Sequence, residues 1–187
     1  MTCTVGYVDN STVIIASDSA ALEGSFVTIR KGSSKVWATK KMIIGFAGSF
    51  ALCQWIRYVF EWPKLSKKWT VDEVHAYLVK SAGLIDEGLR KRYVHNTEDT
   101  VYDWQLMIGV GGSAYREAAL FVMYSNGDVE QSSDSYAAIG SAGMIALGSL
   151  YATKHLNMTS WEHIQTSLEA AAANDSCIKK PWNVLYK

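Results

Sequence analysis

Apolar and polar residues alternate along the first part of the chain, and the spacing becomes helical further on. Residues 4–8 and 12–16 are rich in β-branched residues and lie on either side of the turn-forming cluster at 9–11, a pattern that predicts a β-hairpin. Lys35-Val36-Trp37 is predicted to start a further short strand, and the apolar run at 42–47 predicts another. The opening third of the chain is therefore expected to be antiparallel β-structure.

Helices are predicted where apolar residues recur every three or four positions. The predicted ranges are 50–60, 70–89, 144–156 and 159–173. Pro63 follows the first helix and cannot continue it. Thr70 with Glu73, and Thr159 with Glu162, have the spacing of a capping box at a helix start.

The helices are predicted to come in two pairs, with strands between them and after them. These strands are expected near 104–110, 118–124 and 135–139, with a closing strand pair around 176–186. Blocks of strands and helices joined by tight turns indicate an α+β fold in which helices cover the outer faces of antiparallel sheets. No repeat or linker divides the chain, so residues 1–187 are predicted to form one domain.

Composition excludes several classes of partner and site. Lysine and arginine together number 18, aspartate and glutamate also 18, and the formal net charge is zero, which gives no electrostatic reason to bind nucleic acid or an acidic membrane. Cys3, Cys53 and Cys177 form neither a disulfide framework nor a CxxC metal or redox motif. No cofactor or metal is expected. Without a secretory signal or a membrane-length apolar segment, a cytoplasmic protein is predicted.

The N-terminus carries the first candidate for chemistry. Methionine aminopeptidases remove an initial methionine when a small residue follows it, and here Thr2 follows Met1. Removal would leave a hydroxyl nucleophile and a free α-amine on one residue. An α-amine has a pKa of about 7.7–8.0, so it can serve as the general base for that hydroxyl.

Two charged residues are candidates to support Thr2. Asp18 directly follows the strand predicted to pair with the N-terminal strand, so we expect it near Thr2, although aspartate also commonly ends strands as a turn residue. Lys35 can lower the pKa of a nearby hydroxyl if a carboxylate holds it in a partly buried place. The alternative is a solvated lysine at a strand edge.

Two small-residue segments join a strand to a helix and leave backbone N–H groups free. The segment 45–49 can stabilise an oxyanion or can simply be a tight connection. In the segment 140–143, Ser141 is a candidate helix N-cap, a catalytic helper, or both.

Together these segments resemble the proteasome β-subunit and bacterial HslV peptidase family of N-terminal nucleophile hydrolases. The resemblance is carried, in order along the chain, by Thr2-Cys3-Thr4-Val5-Gly6, Asp18, Lys35-Val36, Gly45-Phe46-Ala47-Gly48, Ile139-Gly140-Ser141-Ala142-Gly143 and Asp175. It implies a four-layer αββα sandwich, which agrees with the order of elements predicted above.

The resemblance also implies a role for each matching residue. By this likeness, Thr2 is the nucleophile, Asp18 and Lys35 are catalytic, Gly48 donates its N–H to the oxyanion, Ser141 positions the N-terminal amine, and Asp175 lies near the site. The family's serine three residues after the late aspartate is replaced by Ile178. The small residues Ala21, Gly45 and Ser49 are expected to line the substrate pocket beside Thr2.

Members of this family hydrolyse peptide bonds in rings, so the resemblance implies self-association, a peptide or unfolded-protein substrate and an ATP-dependent unfoldase partner. Three alternatives stay open. Loss of both Met1 and Thr2 would make Cys3 the nucleophile of an amidohydrolase with the same fold. Retention of Met1 would make the chain a non-catalytic ring subunit. The third alternative is an unrelated binding module in which the motifs are only turns and caps.

Overall fold

A computed structural model describes residues 1–23, 26–29, 34–64, 69–92, 103–112 and 117–187 of the chain. Within these ranges the elements are, in chain order, β1 (Thr4–Asp9), β2 (Thr12–Ser17), β3 (Ala20–Glu23), β4 (Phe26–Ile29), β5 (Val36–Ala38), β6 (Ile43–Ala47), α1 (Phe50–Tyr58), α2 (Val71–Arg92), β7 (Gln105–Val110), β8 (Ala119–Tyr124), β9 (Val129–Gln131), β10 (Tyr136–Ile139), α3 (Gly143–Thr153), α4 (Ser160–Asn174) and β11 (Asn183–Tyr186).

Two antiparallel sheets organise these elements. The first sheet has the strand order β10-β1-β2-β11, and the second has the order β5-β6-β7-β8-β9. Among the described strands, β3 and β4 pair only with each other. Because β1 pairs with both β2 and β10, the N-terminus lies between the ends of these two strands.

Alternation along the strands divides the core into layers, as β2 illustrates. Val13 and Ile15 belong to the apolar cluster between the two sheets. Ile14 and Ala16 point the other way, into the cluster shared with α3 and α4. The second sheet packs its opposite face against α1 and α2. The four-layer αββα sandwich is therefore confirmed.

The number of strands differs from the sequence prediction at three places. The hairpin of β3 and β4 was not predicted, because its large apolar residues, such as Phe26 and Ile29, are exposed and form no buried apolar face. The closing strand pair is the single strand β11, since a turn at Asp175–Ile178 and the ring of Pro181, which has no N–H, interrupt the segment before it. One strand was predicted near 135–139, whereas residues 129–139 hold two strands, β9 and β10, that belong to different sheets.

The predicted capping boxes at the starts of α2 and α4 are present. Glu73 Oε2 accepts a hydrogen bond from the Thr70 N–H at 2.8 Å, and Glu162 Oε2 accepts one from the Thr159 N–H at 2.7 Å. Helix α3 is shorter than predicted and ends at Thr153. None of the helices in the described ranges is long and apolar enough to cross a membrane.

Candidate active site

Thr2 is buried just before β1, where the turn after β10 holds its main chain. The Thr2 N–H donates to Ser141 Oγ at 3.1 Å, and the Thr2 carbonyl accepts from the Ala142 N–H at 3.2 Å. The N-cap of α3 is Ala142, so Ser141 is not the cap. Its hydroxyl faces Thr2 instead.

Asp18 and Lys35 form a buried ion pair next to Thr2. Lys35 Nζ lies 2.7 Å from Asp18 Oδ1, and the two residues are 2% and 0% exposed. Asp18 also accepts hydrogen bonds from the N–H groups of Cys3 at 3.0 Å and Ala20 at 2.9 Å. A buried ion pair is tolerated when its remaining hydrogen-bonding capacity is satisfied in this way.

Burial changes the proton affinity of Lys35. Removing the ammonium from water lowers the pKa of Lys35 below its ordinary value, and the opposite charge of Asp18 raises it by a smaller amount. The lysine is thus a desolvated positive charge held at one position by Asp18. Such a charge acts more strongly on a neighbouring hydroxyl than one in water does.

The Thr2 hydroxyl and the Lys35 ammonium meet at one atom, the carbonyl oxygen of Met1. Thr2 Oγ1 donates to this oxygen at 2.7 Å, and Lys35 Nζ donates to it at 3.1 Å. The two side chains therefore converge on the same small volume. While Met1 is attached, the nitrogen of Thr2 is an amide and has no basic lone pair.

Gly48 follows β6 and adopts a conformation that favours glycine. Its φ is +141°, and an added Cβ would lie 2.8 Å from Phe46 Cζ and 3.1 Å from Trp104 Cβ. The Gly48 N–H has no hydrogen-bond partner among the residues that the structure describes. An unpaired N–H beside a nucleophile is the kind of donor that an oxyanion requires.

An open cavity of about 450 Å³ lies in front of Thr2. The described residues that line it are Met1, Thr2, Ala47, Gly48, Ser49, Asp103, Trp104, Gln105, Gly140 and Ser141. The nucleophile candidate, the unpaired N–H and the Ser141 hydroxyl therefore share one opening to solvent.

The predicted pocket residues Ser49 and Gly45 lie in different places. Ser49 lines the cavity and also caps α1, because its hydroxyl accepts from the Leu52 N–H at 3.3 Å. Gly45 is buried between the two sheets, where an added Cβ would lie 2.5 Å from Thr4 Cγ2 and 3.0 Å from Ile15 Cγ2. Its lack of a side chain thus serves sheet packing, and it is not among the described residues that line the cavity.

Ala21 and Asp175 are not among the described residues that line the cavity in front of Thr2. Ala21 is buried in β3 and pairs with Thr28. Asp175 is the C-cap of α4, and its carboxylate accepts from the Cys177 N–H at 2.9 Å. Neither residue has a hydrogen bond to Thr2, so a part for them in the chemistry stays a prediction.

Comparison with known proteins identifies the family. The model of the proteasome subunit family matches residues 1–184. The chain belongs to the proteasome subunit family. It is 29% identical over 184 residues to the ATP-dependent protease subunit HslV of Rickettsia typhi, a match that covers 95% of this chain and 89% of the relative.

Two solved structures share the fold of this proteasome-family subunit. Thiobacillus denitrificans BPH superposes with a TM-score of 0.75 at 16% identity, and the match covers 99% of this chain and 97% of that one. The eukaryotic HslV of Trypanosoma brucei superposes with a TM-score of 0.69 at 17% identity, over 98% of both chains. At these identities the likeness shows the fold alone.

Cys3, the alternative nucleophile, points away from the cavity in this proteasome-family subunit. Its side chain is fully buried in the cluster between the first sheet and α3–α4. Burial is the main reason that the pKa of Cys3 rises from 9.0 to about 12, with the negative charge of Asp18 second. A thiol in this state is neutral near pH 7 and is a weak nucleophile.

Native-state alkylation is expected to modify one cysteine quickly. Cys177 is partly exposed, whereas Cys3 and Cys53 are buried, and burial raises the pKa of Cys53 to about 11. Iodoacetamide at pH ~8 should therefore label Cys177 well before the other two thiols. Peptide mapping after a time course measures this order. Labelling of Cys3 as fast as Cys177 would reopen the cysteine-nucleophile alternative.

The fit of Gly140 against Thr2 was not predicted from the sequence and can be tested. Gly140 has a φ of +94°, and an added Cβ would lie 2.3 Å from the Thr2 carbonyl oxygen. Gly127 is a matched control, since its φ is +89° and an added Cβ would have nothing within 4 Å. Gly127→Ala is expected to lower the free energy of unfolding by about 1–2 kcal/mol through strain alone.

Gly140→Ala should cost a further ~1–3 kcal/mol, because the main chain of Thr2 must move to admit the methyl group. Urea unfolding of the two variants gives both values. Equal losses of unfolding free energy in the two variants would mean that the turn at Gly140 can move freely and does not hold Thr2.

Proposed function

We propose that this proteasome-family subunit is a threonine endopeptidase that uses Thr2 as its nucleophile after Met1 has been removed. The observation that carries the proposal is the convergence of the Thr2 hydroxyl and the Lys35 ammonium on one oxygen atom. The buried Asp18 carboxylate fixes that ammonium. The likeness to a relative named as a protease subunit supports the same activity.

In the proposed mechanism, Thr2 supplies both the nucleophile and the base. Its hydroxyl oxygen attacks the peptide carbonyl carbon while the α-amine takes the hydroxyl proton. Lys35 lowers the hydroxyl pKa by its positive charge. The Gly48 N–H donates to the oxyanion that forms on the carbonyl oxygen. The Ser141 hydroxyl, 3.1 Å from the Thr2 nitrogen, keeps the amine in place.

The intermediate then collapses and the peptide C–N bond breaks. The α-amine returns its proton to the leaving nitrogen, and the acyl group stays on Thr2 as an ester. Water attacks this ester with the same amine as base, which releases the second product and restores the hydroxyl. No redox partner and no external nucleophile other than water is needed.

Lys35→Ala is expected to lower kcat for peptide hydrolysis about 10²–10³-fold, the effect of losing one preorganised electrostatic group. The free energy of unfolding of this variant should also be about 3–5 kcal/mol lower, because Asp18 would be a buried charge without its partner. Peptide kinetics and urea unfolding measure the two effects. Lys40→Ala is the control, since Lys40 is exposed.

A double variant separates the two effects of Lys35. Asp18→Asn with Lys35→Met removes both charges and should recover much of the stability, yet it should stay as inactive as Lys35→Ala. Recovery of activity together with stability would show that Lys35 acts only through folding.

Ring assembly and an ATP-dependent partner belong to the same proposal. Large apolar side chains are exposed on α3 and at the end of α1, including Met144, Tyr151 and Tyr58, and such side chains are suited to contacts between copies. The Rickettsia typhi relative is an ATP-dependent protease subunit, which supports an ATP-dependent partner for this chain. The three free cysteines are consistent with a reducing cytoplasm.

The proposed function is tested by assaying the purified protein with unstructured fluorogenic peptides. Intact mass establishes whether Met1 has been lost, and light scattering coupled to size exclusion gives the number of copies. We expect a ring-sized particle that lacks Met1 and hydrolyses the peptides. A particle that lacks Met1, assembles and hydrolyses none of a broad peptide set would contradict the endopeptidase assignment.

A further inference from the structure

Thr2 and the unpaired Gly48 N–H belong to different layers of the molecule. Thr2 precedes β1 of the first sheet, and Gly48 follows β6 of the second sheet. The geometry between nucleophile and oxyanion donor therefore depends on how the two sheets are held relative to each other. The surface between the sheets is mainly an apolar cluster, and apolar packing is not directional.

Directional contacts between the sheets occur beside Thr2. The Lys35–Asp18 pair is one, because Lys35 precedes β5 and Asp18 follows β2. The Thr4 hydroxyl, which donates to the Phe46 carbonyl at 3.3 Å, is another.

A third contact between the sheets comes from Gln105. This residue begins β7 in the second sheet, and Gln105 Oε1 accepts a hydrogen bond from the Gly140 N–H at 2.8 Å. Gly140 follows β10 in the first sheet and begins the turn whose next two residues, Ser141 and Ala142, bond to Thr2. The Gln105 side chain therefore connects the second sheet directly to the turn that holds the nucleophile.

The same strand start also bears on Gly48. Gln105 is paired with Ala47, the residue before Gly48. The preceding residues Trp104 and Asp103 lie where a Gly48 side chain would be, at 3.1 Å and 3.2 Å from the position of its Cβ. One short segment thus supports the oxyanion donor through its main chain and the nucleophile turn through the Gln105 amide.

We propose that Gln105 is a positioning residue that holds the Gly140–Ala142 turn, and with it the Thr2 amine and hydroxyl, in register with the Gly48 N–H. This inference rests on the proposed function. Gln105 acts through Gly140 and Ser141, and its amide oxygen is the atom that matters. Its amide nitrogen has no hydrogen-bond partner among the described residues and is not needed for this role.

Two variants of Gln105 separate its oxygen from its nitrogen. Gln105→Leu removes both polar atoms, whereas Gln105→Glu keeps an oxygen that can accept the Gly140 N–H. In protein that lacks Met1, Gln105→Leu is expected to lower kcat about 10- to 100-fold, the scale of a small misplacement of reacting groups, with KM changed by less than about twofold. Gln105→Glu should retain most of the wild-type kcat. Gln54→Leu, at an exposed position of α1, is the matched control.

Hydrogen–deuterium exchange supplies a readout that needs no turnover. The Gly140 amide should exchange faster in Gln105→Leu and at nearly the wild-type rate in Gln105→Glu, because only the first variant loses the acceptor. Together with the kcat loss and the rescue by Gln105→Glu, this result supports the role.

Several results would overturn it. If KM rises equally in both variants while kcat is unchanged, the amide nitrogen that both variants lack binds substrate, and Gln105 does not position the turn. If wild type is active and Gln105→Leu matches it, the turn holds without Gln105. If wild type that lacks Met1 is itself inactive, the proposed function fails first and the role of Gln105 fails with it, whatever the exchange rates are.

Discussion

Thr2→Ala is expected to remove peptide hydrolysis altogether, a loss of at least ~10⁴ in kcat/KM, because no second group can replace the attacking oxygen. The thiol of the next residue, Cys3, is buried in the cluster between the first sheet and α3–α4, and its pKa is about 12. The variant should fold and assemble, since Thr2 is anchored through its main chain to Ser141 and Ala142. Peptide kinetics and size exclusion measure these two expectations.

Thr2→Ser is the matched control for this prediction. Serine keeps the hydroxyl and the α-amine and loses only the methyl group that restricts χ1. We expect measurable turnover below that of wild type. Activity in Thr2→Ala equal to that of Thr2→Ser would show that the hydroxyl of residue 2 is not the nucleophile.

Retention of Met1 is expected to abolish turnover as completely as Thr2→Ala does. The nitrogen of Thr2 is then an amide, which cannot accept the hydroxyl proton. In addition, the Met1 carbonyl oxygen takes the hydrogen bonds of both the Thr2 hydroxyl and the Lys35 ammonium. The base is thus missing, and the two groups that would act on a substrate are already engaged.

A matched pair of proteins tests this expectation. The chain can be released from an N-terminal fusion so that either Met1 or Thr2 is the first residue, with all later residues identical. The Thr2-first protein should hydrolyse peptides and the Met1-first protein should not. Treating the inactive protein with a methionine aminopeptidase should restore activity. Equal turnover by the two forms before that treatment would rule out the α-amine as general base.

The layers of the fold could be predicted from the sequence because they depend on local periodicity. The alternation in residues 12–16 and the helical spacing in residues 70–89 each record which side of an element is buried. The β3–β4 hairpin has no apolar pattern that marks a buried face, since Phe26 and its apolar neighbours are exposed. The predicted closing strand pair was wrong for a related reason. The turn that begins at Asp175 depends on tertiary contacts, which the spacing of apolar residues does not reveal.

The candidate site could be predicted only as far as the pairing of neighbouring strands allowed. Asp18 follows a strand that pairs with β1, so its place beside Thr2 follows from a hairpin that the sequence predicts. Gln105 meets Gly140 across two sheets and 35 residues of chain, a contact that depends on how the layers stack. Gly45 was interpreted as pocket lining because it is small and lies near the site in sequence. It is small because the two sheets pack closely at this position.

The central claim is that residue 2 carries the acyl group during hydrolysis, and trapping this intermediate tests it most directly. Protein that lacks Met1 is mixed with a peptide p-nitrophenyl ester, quenched in acid during the first turnovers, digested and mapped by tandem mass spectrometry. The account predicts the acyl group on Thr2, on its oxygen or after transfer to its amine, and none on the Thr2→Ala variant. An acyl group on Cys3 or another residue, with Thr2 unmodified while turnover proceeds, would contradict the account.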